Sequence, residues 1–500
     1  MADARTRYGA AHVRYVAAYQ PDTAPPRLQM TLAIADTVWR PADRERLTVL
    51  DIGCGRGVTA CLLAAANPHW DVIGLDLQPV HIAEAREIAA EAGLDNARFI
   101  EADLAELDEE SSARLLPEVD VVICYGVWTW VPDPVREGIV RLLRSRVKPG
   151  GIVFMGYNAL PGFADCIPMQ RLLEEAVRGM GGSDTERGMA ALAAVEALRA
   201  AGARHLPREE VLDHVLKRGR GAPAYMVHEW LTSFWRPVFH ADLARDLARA
   251  RLDYGGCARP ARSLPDLNLT EAQLRAVAEA PAGFAQETLL DSFLSRRFRT
   301  DVFVRGRRSG GREMLAGMEM ALIVAPGAAK IGFTTETGEA ALPAPQAEAL
   351  LGALAEGPRR LGDLAALPAL AGLKPIDLAV LLLESDVACP VWRDAPKDPA
   401  ARARSARCNA TLLRRLAPEA SANAAPLGAA VPSLGTGILA SASELAVIVA
   451  LQQGTPAETE ALVAHLAGPG DGPEALARMR EGIGRLLANR VPAWRGIGLV

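Results

Sequence analysis

One heptapeptide constrains this chain more than any other stretch: DIGCGRG, Asp51 to Gly57, which closes the short β-branched run Leu47 to Ile52. A glycine at every second position lets the backbone turn sharply at the carboxyl end of a strand. It also brings main-chain groups against a ligand with no Cβ in the way. The spacing is GxGxG, with Val58 where a dinucleotide fingerprint needs its third glycine, and no lysine follows as a P-loop requires. Such a turn alone is also a common tight connection, so its surroundings decide.

Those surroundings repeat. Val58 to Ala66 reads as a helix, Asp71 to Leu75 as a strand ending at Asp76, and Val80 to Ala92 as a helix stopped by Gly93. A third strand, Arg98 to Ile100, leads to Asp103. A fourth covers Val119 to Cys124, a helix Asp133 to Val147, and a fifth strand Gly151 to Gly156. This alternation predicts an α/β fold with a parallel, Rossmann-like doubly wound sheet. Beyond Gly162 the spacing turns helical, at Met169 to Met180 and Asp184 to Ala201. Further strands at Leu252 to Cys257 and Asp301 to Arg305 then make the helical stretches insertions within one sheet.

Arg305 to Glu313, RGRRSGGRE, reads as a linker. Residues 344–392 follow a winged-helix order, but the segment in the recognition-helix position carries one lysine, Lys374, against Asp377, Glu384 and Asp386. A phosphate backbone would repel it, and a docking role fits better. The expected division is therefore 1–162 as a ligand-binding core, 163–308 as helical insertion with the last core strands, 309–395 as winged-helix-like, and 396–500 as a helical C-terminal region.

Asp76 lies where a carboxylate accepts both hydroxyls of a ribose, and Asp103 at the place suited to an adenine edge. Three acids at three successive strand ends, with no arginine placed for a phosphate, favour a cofactor that is positively charged and phosphate-free. S-adenosylmethionine meets that description. VLDIGCGRG (Val49 to Gly57), VIGLDLQP (Val72 to Pro79), FIEADLAEL (Phe99 to Leu107), VDVVICYG (Val119 to Gly126) and VKPGGIVFM (Val147 to Met155) together resemble the class I S-adenosylmethionine-dependent methyltransferases. The resemblance implies a cofactor set of Asp51, Gly53, Cys54, Gly55, Gly57, Asp76, Leu77, Asp103, Leu104 and Tyr125, with no metal. It also implies an arm before the first strand, carrying His12, Tyr15 and Tyr19, that folds over the cofactor, with Tyr19 in contact.

YGVWTWVPD (Tyr125 to Asp133), GYNALPGF (Gly156 to Phe163), YMVHEWLTSFWRPVFHADL (Tyr225 to Leu243) and RRFRTDVFVRGRR (Arg296 to Arg308) narrow the likeness. They resemble bacterial methyltransferases with a methyltransferase regulatory domain, a group that includes the rickettsial outer-membrane-protein lysine methyltransferases. That implies methyl transfer to a protein side chain, lysine first, with a small-molecule acceptor as the alternative and a non-catalytic interaction protein as the second. The expected acceptor-side residues are Tyr125, Trp128, Tyr157, Asn158 and His228. Trp130 joins Tyr125, Trp128 and Tyr157 as a candidate aromatic wall that favours a cation. Packing of a helix on the sheet is equally open to the tryptophans, and a turn cap to Asn158. His228 with Glu229 could remove a proton, or His228 could be an ordinary hydrogen-bonded histidine; HEWLT lacks the second histidine of a zincin.

Composition limits the partners. A net charge of −5 over 500 residues gives no basic footprint for nucleic acid. The N-terminal residues lack a secretory apolar core, and no apolar run reaches the roughly 18–20 residues that cross a bilayer, so a cytoplasmic protein without membrane insertion is expected. The seven cysteines form no CxxC pair, and reduced thiols are expected. A protein substrate is the expected partner, and a homodimer is compatible with it.

Overall fold

The computed structural model describes residues 16–41, 46–221, 226, 229–232, 234–281, 285–392, 395, 398–423 and 425–500. The first half builds β1 (Thr48–Ile52), β2 (Asp71–Asp76), β3 (Ala97–Glu101), β4 (Val119–Tyr125) and β5 (Val147–Leu160). The short β6 (Val238–Phe239) pairs with the end of β5, and β7 (Leu252–Cys257) and β8 (Phe298–Arg305) complete the sheet in the order β3-β2-β1-β4-β5-β8-β7. Strands β3 to β5 run parallel, as their helical crossovers require. β8 is antiparallel to both neighbours, so the sheet is Rossmann-like and mostly, not wholly, parallel.

The sheet is covered on both faces, and the alternation of β5 shows how. Phe154 belongs to one apolar cluster with Val49, Val121 and Val302; Met155 and Tyr157 belong to another with Ile139, Leu243 and Phe303. The insertion after β5 contributes helices Ile167–Ala176, Asp184–Ala200 and Glu209–Gly221, which close on their own core around Met169, Leu192 and Trp235.

Residues 305–313 are not a free linker. Arg307 donates to Thr37 Oγ1 at 2.9 Å, Arg312 to the Ile34 carbonyl at 3.2 Å, and a Cβ on Gly311 would meet the Thr37 carbonyl oxygen at 2.4 Å. The glycines here permit close backbone approach, not looseness.

The next stretch folds as β9 (Glu319–Leu322), the hairpin β10 (Gly332–Thr335) and β11 (Gly338–Ala341), helix Ala344–Ala355, β12 (Arg359–Arg360), helix Leu361–Ala365, helix Pro375–Glu384 and β13 (Ala388–Pro390), with β12-β9-β13 as its sheet. Helix Pro375–Glu384 packs inward. Leu378, Leu382 and Leu383 are buried, and Glu384 accepts from the Ala261 amide at 3.0 Å.

The C-terminal region is helix Pro399–Asn423, the hairpin β14 (Ala429–Val431) and β15 (Thr436–Ile438), and four further helices. It does not pack as a separate body. Leu412, Leu416, Leu427, Leu445 and Trp494 share one apolar cluster with Leu62, Leu63, Ile82 and Ile88 of the α/β core. Every residue of helix Val58–Ala66 is buried in that shared interior.

Candidate active site

A cleft of about 320 Å³ opens over the carboxyl ends of β1 to β4, where an open α/β sheet binds its ligands. The β1 end supplies Asp51 and the turn. Gly53, Gly55 and Gly57 have φ of 71°, 51° and 76°, a region that L side chains rarely occupy. Each meets something different. A Cβ on Gly53 would strike Val127 Cγ2 at 2.4 Å, and one on Gly57 would strike Ala85 Cβ at 2.7 Å and Phe99 at 2.8 Å. One on Gly55 would meet nothing within 4 Å and would project into open space. Gly57 thus serves the packing of the helix that follows and does not line the cleft; Gly53 and Gly55 do.

Asp76 ends β2 and organises the turn. Its Oδ2 accepts from the Gly55 amide at 2.9 Å and its Oδ1 from the Gln78 amide at 2.8 Å, with His81 Nδ1 at 3.4 Å. Leu77, Asp103 and Leu104 line the same wall, and Asp103 Oδ1 accepts from the Ala105 amide at 2.9 Å. Burial, and then the neighbouring Asp76, push the Asp51 carboxyl up to about 7. Burial pushes the Cys54 thiol well up too, with Asp51 and Asp76 adding to it, so this cysteine is a neutral part of the wall.

Tyr125, at the end of β4, stacks on Phe154 with ring centroids 6.1 Å apart and meets Phe298 at 5.4 Å. Burial, then Asp22 and Glu229, push its hydroxyl up to about 12. Trp130 also lines the cleft and packs on Trp235, 6.3 Å away, which joins the wall to the insertion core.

Besides Gly57, four expected site residues stand elsewhere. Tyr19 is buried with its hydroxyl 3.0 Å from Thr436 Oγ1 and donating to the Gly437 carbonyl at 3.1 Å. Its neighbours Ala17, Ala18 and Gln20 line the cleft in its place. Trp128 is packed in the core, with its carbonyl accepting from Arg136 at 2.9 Å. Tyr157 points to the face opposite Tyr125, because successive residues of β5 alternate. Its hydroxyl donates to Asp301 Oδ2 at 2.6 Å, beside His240 Nδ1 at 3.2 Å. Asn158 is buried in β5 opposite Phe298 and does not line the cleft. His228, His12 and Tyr15 lie outside the described residues.

Residues that the sequence reading missed at the cleft include Thr59 and His81; Val127 falls inside the Tyr125 to Asp133 motif, and the arm expected before β1 reaches the cleft as a strap of residues 16–18 and 20 instead of through Tyr19. Thr59 accepts from the Gln20 amide at 3.3 Å and so fastens the strap. A valine directly after a strand-ending glycine was the available signal for Val127. The strap carries no pattern, because its contribution is backbone and small side chains.

Comparison with known proteins agrees with this geometry. Residues 49–151 match a methyltransferase domain, and residues 222–305 match a predicted methyltransferase regulatory domain. An uncharacterised Synechocystis protein is 28% identical over 343 residues, 67% of each chain. Two Rickettsia prowazekii proteins are 32% and 31% identical over 123 and 119 residues, 47% and 21% of their own lengths, so this chain spans half or less of those relatives. An Acinetobacter baumannii ubiquinone biosynthesis O-methyltransferase is 35% identical over 106 residues, 21% of this chain and 41% of that protein. Among solved structures, PKMT2 of Rickettsia typhi in complex with AdoHcy superposes with a TM-score of 0.67 at 17% identity, over 97% of this chain and 99% of the other. The two share a fold across almost their whole lengths.

Proposed function

The chain is a class I S-adenosylmethionine-dependent methyltransferase with a methyltransferase regulatory domain, and we propose that it methylates a nucleophilic protein side chain, lysine before others. The residues present fit the cofactor. The open space in front of Gly55 is a cradle that a Cβ would fill, and the carboxylates of Asp51, Asp76 and Asp103 line one cleft with, among the described residues, no arginine but the outward-turned Arg56. In this reading Asp76 and Asp103 hold the nucleoside, and Asp51 faces the cationic part. Bound there, S-adenosylmethionine supplies a methyl group on an electrophilic sulfonium.

What remains for the protein is to hold an amine in line and to keep it uncharged. The observation that carries the lysine reading is aromatic: Tyr125 and Trp130 both line the cleft, and Trp130 packs on Trp235 6.3 Å away. An aromatic-walled end of the cleft draws an ammonium group in. Burial pushes Glu229 up to about 7, close to the pH at which a base works best, so this carboxylate is suited to take the ammonium proton before transfer. Among the described residues no helix is long and apolar enough to cross a membrane, and the seven free thiols suit a reducing cytoplasm.

The likeness to an O-methyltransferase of ubiquinone biosynthesis supports a second reading, a small-molecule acceptor, but it is confined to about a fifth of the chain. Incubation with methyl-labelled cofactor and cognate lysate separates the two. Label recovered as methyl-lysine after protein hydrolysis is expected, with Glu229→Gln lowering turnover by roughly 100-fold or more. Label found only in the small-molecule fraction would reject the protein substrate.

A further inference from the structure

Two walls of the cofactor cleft are tied to residues very far along the chain. The glycine turn is a loose device, since glycine has more conformational freedom to lose than any other residue, and something must hold it in one shape. From inside the cleft Asp76 takes the Gly55 amide. From outside, Arg56 does the holding. Its side chain is 1% exposed and turns away from the cleft, donating twice to Glu84 at 2.7 Å and once to Glu419 at 2.7 Å, 363 positions away. Against the burial that would discharge it, the two carboxylates keep the guanidinium pKa above its ordinary value. The opposite wall is the strap. The Tyr19 amide donates to the Pro426 carbonyl at 2.9 Å, its hydroxyl meets Thr436 and Gly437, and a Cβ on Gly428 would strike it at 2.8 Å.

We infer that the C-terminal region is a positioning element for the cofactor: Glu419 fixes the glycine turn through Arg56, and the β14–β15 hairpin fixes the strap through Tyr19. This rests on the S-adenosyl cofactor reading of the cleft and not on the lysine reading. The same helix, Pro399–Asn423, carries a second set of ion pairs that touch only the outer surface of helix Pro79–Ala92: Arg415 with Glu87 at 2.7 Å and with Glu91, and Arg414 with Glu91. One interface therefore holds two kinds of contact, those that dock the region and those that reach the cleft. Glu419 and Tyr19 act through other groups and are positioning residues, not catalytic ones.

The test is calorimetric titration of the full chain with S-adenosylhomocysteine, together with the melting temperature. Glu419→Ala leaves Glu84 to neutralise Arg56, so the fold survives. It should weaken binding by about five- to tenfold, the scale on which residues outside a site modulate it. Glu419→Gln, which still accepts a hydrogen bond, should recover part of that loss, and Tyr19→Phe should weaken binding in the same direction. Glu91→Ala, a docking contact only, should leave affinity unchanged even if the melting temperature falls. Wild-type affinity in Glu419→Ala, or an equal loss in Glu91→Ala, would overturn the inference. Wild-type protein that does not bind the ligand would overturn the cofactor reading together with it, whereas failure to methylate lysine leaves the titration valid.

Discussion

Three carboxylates, Asp51, Asp76 and Asp103, stand at the upper edge of the sheet beside β1 to β3, and three more, Glu287, Asp291 and Asp301, stand at the same edge beside β5 and β8. The first group opens on a cleft. The second is sealed. Asp301 Oδ2 gathers the Tyr157 hydroxyl at 2.6 Å, Arg299 Nε at 2.8 Å and His240 Nδ1 at 2.9 Å, while Arg299 reaches Asp291 at 2.7 Å and Glu287 at 2.8 Å. Burial alone would raise the Asp301 pKa, but Arg299 and His240 hold it well below the carboxylate range. Asp51, whose burial no cation among the described residues offsets, is pushed the other way. Equal placement on a sheet edge thus has opposite meanings. A charge that is neutralised by its neighbours holds the fold together, and one left without a counter-charge favours a cationic ligand.

The contrast breaks or holds on four measurements. Asp301→Asn removes the charge that Arg299, His240 and Tyr157 share, and should cost about 3–5 kcal/mol of stability. Below its lowered melting temperature it should still bind S-adenosylhomocysteine as the wild type does. Loss of binding with stability intact would place the sealed group in the site. Gly55→Val should do the reverse, weakening binding by about 100-fold, roughly 2.7 kcal/mol, while the chain stays folded. Gly57→Val, which collides with Ala85 and Phe99, should lower the melting temperature further than Gly55→Val does.

The smallest effect concerns pH. A cationic ligand prefers the ionised form of Asp51, which holds its proton up to about 7 in the empty cleft, so binding expels that proton. Affinity for S-adenosylmethionine should fall as pH drops below 7 and level off above it, being about tenfold weaker at pH 6 than at pH 8. Asp51→Asn should flatten that profile; a profile flat already in the wild type would remove the distinction between the two carboxylate groups.

The cleft wall at the ends of β1 and β2 was legible because its physics is local. A strand end, a glycine turn and an acid at the next strand end lie within one βαβ unit, so spacing alone brings Asp51, Gly55 and Asp76 together. The acceptor half was legible only in part. Tyr125 and Trp130 do line the cleft, but Tyr157 faces the opposite way, and the period-two alternation of β5 already separates it from Gly156 and Asn158. Trp128 differs from Trp130 by two positions in a 3₁₀ turn, yet Trp128 packs into the core with Arg136 5.8 Å over its ring while Trp130 lines the cleft. The tie of Tyr19 to Thr436 spans 417 positions, and no periodicity or motif records a pairing of that kind. The same is true of the shared interior between the α/β core and the last hundred residues, which the alanine-rich composition concealed.

That shared interior also sets a schedule for synthesis. Helix Val58–Ala66 is buried on every side, and part of its cover, such as Ser405 against the Ala65 carbonyl, is encoded 340 positions later. At roughly 5–20 residues per second, a ribosome takes about 17–70 s to make that stretch. Throughout that interval the nascent chain presents an unfinished apolar face to its surroundings.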